Sequence, residues 1–117
     1  MKSSIFELIY NRLSNGGFNV YSIGQHEGFC NEPYVVIKED GESVLGGASV
    51  SAAVVSVIIF YPIGKYSDVS RYINEIRQCI KGLFWLKSTG EATGIAVDHA
   101  VRAYTCTMFY EVYKRRR

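Results

Sequence analysis

Proline is almost missing from this chain, with two in 117 residues, and no low-complexity tract replaces it. That excludes a disordered or linker-like protein. Cysteine is scarce and odd in number, with Cys30, Cys79 and Cys106 far apart in sequence. A disulfide framework is therefore not expected, and reduced thiols in a cytoplasmic setting are the simplest reading. Histidine occurs twice, with no CxxC or HxxxH pattern, so a closed zinc site lacks its ligands. No apolar run approaches the roughly 20 residues that span a membrane. At the N-terminus, Glu7, Asn11 and Arg12 interrupt the apolar stretch, so no secretory signal is expected there.

Charge of one sign is missing too. The formal net charge is +2, and Lys114, Arg115, Arg116 and Arg117 supply +4 of it, so the rest of the chain is at −2. The positive charge is a tail at 114–117, not a basic domain. The second predicted helix carries Arg71, Arg77 and Lys81, balanced by Asp68 and Glu75. No basic stripe interleaved with aromatics results, and specific reading of a nucleic-acid sequence is not expected.

What is present centres on Ser51–Pro62, SAAVVSVIIFYP, apolar from Ala52 to Tyr61 except at Ser56. A short β-branched run of this kind is a strand covered on both faces. The chain's own helices can cover one face. The other needs a further cover, and in so small a protein a second subunit is the natural source.

Ser4 and Glu7 form a capping-box pattern, and Ile5, Leu8, Ile9 and Leu13 share a helical face, so a helix is predicted over Ser4–Ser14, stopped by Asn15-Gly16-Gly17. Short strands follow at Phe18–Ile23 and Pro33–Lys38, joined by a loop at Gly24–Asn31. Glu39–Ser49 is too long for a tight hairpin turn and is predicted as an extended, mobile arm. A second helix is predicted from an N-cap at Ser67 to Gly82, with Val69, Tyr72, Ile73, Ile76, Cys79, Ile80 and Leu83 inward. Phe84–Lys87 is a brief strand, Ser88–Gly94 a turn, and Asp98–Lys114 one long last strand that alternates without a cleanly polar face. Residues 1–117 thus form a single two-layer α+β domain: an antiparallel or mixed sheet of about four to five strands with two helices packed on it.

Catalytic signatures are weak. Gly64-Lys65 is followed by Tyr66 and lacks the upstream glycine of a phosphate-binding loop. His26 and Cys30 provide two metal donors where four are wanted. Asp98 and His99 are neighbours in a strand and point to opposite faces, so Asp98 does not orient His99 toward a nucleophile such as Cys106. No catalytic, cofactor-binding or metal-ligating residue is assigned, and the protein is not expected to be an enzyme.

Three blocks carry a family resemblance. Asn31-Glu32-Pro33-Tyr34-Val35-Val36-Ile37-Lys38 is one; Tyr61-Pro62, Tyr66-Ser67 and the helix end Ile80-Lys81-Gly82-Leu83 are another; Thr89-Gly90-Glu91, Asp98 and Ala100-Val101-Arg102-Ala103, running on to Tyr110, Tyr113 and Lys114, are the third. In order and spacing they resemble the small tail-terminator (tail-completion) proteins of long-tailed bacteriophages and prophages. Ala52-Ala53-Val54-Val55 departs from the family, whose central strand often carries polar and aromatic residues there. The resemblance implies a non-enzymatic virion protein without cofactors, at the neck end of the tail and assembled in the bacterial host cytoplasm. It implies a homo-oligomeric ring, usually a hexamer, with the tail tube protein and the head-tail connector proteins as further partners. A head-tail joining or connector protein is the alternative, and a small nucleic-acid-binding module a more distant one. The expected subunit or tube interface comprises the acidic arm Glu39, Asp40, Glu42, Gly46 and Gly47 and the basic Lys114, Arg115, Arg116 and Arg117. Opposite charges of this kind steer association.

Overall fold

The computed structural model describes residues 4–45 and 50–115, with those at 43–45, 50 and 114–115 as backbone. The order is α1 (Ile5–Asn15), β1 (Val20–Ser22), β2 (Tyr34–Leu45), β3 (Val50–Pro62), α2 (Tyr66–Lys81), β4 (Lys87–Ala92), β5 (Ala96–Asp98) and β6 (Ala103–Arg115). The sheet is mixed and runs β1-β2-β3-β6-β4, with β5 also pairing β6. Only β1–β2 is parallel; β3 sits at the centre, antiparallel to both β2 and β6. The α+β class and the two-layer packing are as the sequence indicates. Among the described residues the sheet has six strands, rather than the four or five expected.

Alternation along β3 divides the layers. Val55, Val57 and Ile59 join Val35 and Ile37 of β2 and Cys106, Met108 and Tyr110 of β6 in one buried cluster. Above them lie Ile9 and Leu13 of α1 and Val69, Ile73, Ile76 and Ile80 of α2. Ser4 caps α1 as predicted, its hydroxyl accepting from the Glu7 amide at 3.1 Å. Leu8, placed on the inward face from spacing, is 40% exposed. The two helices lock at their C-terminal ends, where Arg12 Nε donates to the Cys79 carbonyl at 2.8 Å. A Cβ on Gly82 would displace the Arg12 guanidinium that makes this contact.

Several boundaries move, each for a local reason. α2 begins at Tyr66 with Lys65 as N-cap and no side-chain cap, so Ser67 lies inside the first turn. Phe84–Leu86 is turn rather than strand, closed by bonds from Leu83 N to Ile80 O and from Leu86 N to Leu83 O. The stretch expected to turn, from Ser88, is instead most of β4, held to β6 at Lys87, Ser88 and Ala92 around an irregularity. The long last strand is broken: β5 ends at Asp98, residues 99–102 turn with Arg102 at φ 55°, and β6 starts at Ala103. Asp98 Oδ1 accepts from Ala100 N at 3.0 Å, which is turn chemistry. Glu39–Leu45 is no loose arm, because each residue except Asp40 pairs with β3. The radius of gyration, 15.0 Å, exceeds the roughly 13 Å of a compact chain this long. The long β2–β3–β6 ribbon accounts for the excess, within a longest extent of 49 Å.

Candidate assembly interface

The second face of the sheet is where cover runs out. Val36, Val54, Ile58, Phe60, Thr105, Thr107 and Phe109 alternate with the core residues and are only half-buried. Both helices pack on the opposite face. At one end the 24–31 loop folds over this bare face. His26 stacks on Tyr34 with ring centroids 4.0 Å apart, and Tyr34 stacks on Phe60 at 4.7 Å. Cys30 N donates to Val101 O at 2.7 Å, and the Arg102 guanidinium lies 4.3 Å from the centre of the Phe29 ring. Burial pushes the Cys30 thiol up to about 11, and burial, then Cys30, Asp98 and Tyr21, push the Tyr34 phenol to about 12. Both stay neutral at physiological pH, and the Cys30 thiol is no thiolate nucleophile.

The expected acidic residues fall around a β-bulge. Pairing shifts between Glu39, opposite Val55, and Gly41, opposite Val54, leaving Asp40 as the extra residue. Gly41 has φ +106°, a conformation costly for any residue with a Cβ. The bulge turns Asp40 onto the bare face, where it accepts a hydrogen bond from the Ser56 hydroxyl and lies 3.6 Å from Lys38 Nζ. This answers the one polar position in the apolar run, because Ser56 is buried and spends its donor on Asp40. A one-residue slip also exchanges the faces beyond it. Glu42 therefore pairs with Ala53 on the helix side, while Glu39 stands on that same side opposite Val55.

Lys114 and Arg115 are not a free tail: their backbone pairs with Ser51 and Val50 at the end of β6. Gly46, Gly47, Arg116 and Arg117 lie outside the described residues. The acidic and basic segments thus flank β3 from opposite sides, Val44 and Lys114 both opposite Ser51.

A feature not assigned from the sequence is a cleft of about 470 Å³ where α2 ends beside β4. Arg77, Lys81 and Lys87 rim it over Ile80, Leu86 and Tyr110. Arg77 Nε points to Met108 Sδ at 3.1 Å. The signal was partly visible, since Arg77 and Lys81 are four apart and share a helix face. Only the turn at Phe84–Leu86 brings Lys87 to join them.

The residues weighed for catalysis or metal binding do not converge. The Cys30 thiol donates to the Glu32 carbonyl at 3.3 Å, and the Cys106 thiol to the Thr93 carbonyl at 3.4 Å on the helix-covered face. Among the described residues no group of three His, Cys, Asp or Glu side chains is disposed to hold a metal ion, and no helix is long and apolar enough to cross a membrane. Comparison with protein-family models and with curated proteins finds no match to the chain.

Proposed function

We propose that the protein is a non-enzymatic structural component of a long-tailed bacteriophage or prophage, closing the tail tube as a ring of its own copies, with six the expected number. The ring ends tube growth and presents the surface on which the head docks. The observation that carries this reading is the bare sheet face. Its central strand is apolar on both sides except at Ser56, the helices cover only one, and the half-buried Val54, Ile58 and Phe60 are suited to burial against another protein surface. The three sequence blocks that resemble tail terminators supply the specific role. Ring closure asks for two different patches on each copy, a heterologous contact that closes.

The test is complementation of a phage lacking the gene, with particles imaged by electron microscopy. Without the protein, overlong or headless tails are expected, and the intact chain should restore uniform tails carrying heads. Deleting Glu42–Gly47, which removes the last four paired residues of β2 but none of the helix-covered core, should abolish capping. Uniform tails with the deletion variant would overturn the role given to the hairpin. Normal free tails beside filled, tailless heads in the knockout would move the protein to the head side of the joint.

A further inference from the structure

Two patches of opposite charge lie at one height on opposite edges of the sheet. On the β2 edge Glu39 stands on the helix side, while Asp40 beside it faces the other way and is paired with Lys38. β1 pairs only as far as Ile37, so among the described residues no strand pairs the outer side of β2 beyond it. On the other edge lies the cleft beside β4, lined by Arg77 and Lys81 of α2 on the helix side and by no acidic residue; Lys87, which also lines it, stands directly opposite Glu111 in the β4–β6 register. None of these three cations forms an ion pair with a described side chain. The register joins the two patches: Glu39 is opposite Val55, Val55 opposite Tyr110, and Tyr110 opposite Ser88. Cross-strand partners share a face. The row therefore starts at Glu39 on the helix side and ends at the cleft on the helix side. A second copy added sideways at the same height would bring its acidic edge onto the basic cleft of the first.

We propose that the acidic β2 edge around Glu39 of one copy docks against the Arg77–Lys81–Lys87 cleft beside β4 of the next copy. This deepens the ring reading and rests on it. The contact is head-to-tail, because donor and acceptor patches are different surfaces of the same chain. Its charges confer direction: two acidic edges repel, as do two basic clefts. The apolar floor of Ile80, Leu86 and Tyr110 gives the contact something to desolvate besides charge.

The test uses the full chain and light scattering across a concentration series at two salt concentrations. Glu39→Lys alone, and Lys81→Glu with Lys87→Glu, should each raise the concentration needed for assembly by about tenfold or more. Circular dichroism should show the fold retained, since all three positions are exposed. Mixing the two variants should restore assembly, because alternating copies match opposite charges at every contact. Unchanged assembly in the single variants, no recovery on mixing, or a wild-type monomer at every concentration would each overturn the contact. Cleft reversal that spares self-association yet blocks tail capping would overturn it too, assigning the cleft to a different protein. Tail capping is scored separately. Charge-dependent assembly that never caps tubes retires the tail reading alone, and tubes capped by charge-reversed rings retire this contact alone.

Discussion

The two faces of β3 are built from nearly the same residues and live in different surroundings. Val55, Val57 and Ile59 are at most 1% exposed beneath two helices, while Val54, Ile58 and Phe60, one position along in each case, are half-buried. Hydrophobicity in a strand records a demand for cover; it does not say where the cover comes from. The helix side is a folding core, and the bare side is suited to becoming a core only on assembly.

The sharpest way to break this comparison is a charge on each face. Val57→Asp buries an unpaired carboxylate and should cost more than about 4 kcal/mol, enough to unfold the chain. Ile58→Asp, one residue away, should cost about 1 kcal/mol in the monomer while blocking tail capping. Urea unfolding and the complementation assay separate the two effects. Equal destabilisation by both would mean that the bare face is already a core.

A milder pair sharpens the same contrast. Ile59→Ala removes a fully buried side chain and should cost about 3 kcal/mol, whereas Ile58→Ala should cost about 1 kcal/mol or less. Urea midpoints with an unchanged m-value would establish this order, and a reversed order would refute it.

The loop-covered end of the bare face should behave as core, and pH can show it. Cys30 and Tyr34 have folded pKa values raised to about 11 and about 12 from 9.0 and 10.0. The folded state keeps these protons when the unfolded state has begun to lose them. Their contribution is therefore full below about pH 9 and is lost as pH rises through the folded values. The urea midpoint should fall from pH 9 upward, and Cys30→Ala should flatten the first part of that fall. A flat profile to pH 11 would mean that the loop does not seal this end.

Two smaller effects complete the series. Gly41→Ala meets open space but must hold φ +106°, and a loss of about 1 kcal/mol is expected, with weakened assembly because the bulge sets the faces of Glu39 to Glu42. No loss in either measurement would separate the bulge from the interface. On the helix side, the Tyr72 hydroxyl is buried without a hydrogen-bond partner among the described residues. Tyr72→Phe should leave stability unchanged or raise it by up to about 1 kcal/mol. A clear loss in thermal unfolding would reveal a partner for that hydroxyl.

Much of this was legible in the chain. The capping box at Ser4, the inward face of α2 and the alternation from Tyr104 to Val112 rest on local chemistry and periodicity, which need no knowledge of neighbours. β4 was not legible, because Lys87–Ala92 has the composition of a turn and is a strand only because β6 offers it an edge. Nor was the break at residues 99–102: Arg102 has no glycine-like signature, and its left-handed backbone is held among the contacts of the 24–31 loop. The acidic segment is legible by composition but its pairing is not, since that depends on a bulge that shifts register by one residue.

The sequence by itself determined the α+β class, the two helices and the two-sided apolar character of β3. Each is a property of spacing within about a dozen residues, the range over which helix and strand periods can be read. Only the tertiary structure decided which face of β3 the helices take, that Asp40 answers Ser56, and that Glu39 and the Arg77–Lys81–Lys87 cleft stand at opposite ends of one row. Those are matters of register between strands distant in sequence, where a shift of one residue exchanges the faces and no local signal reports the choice.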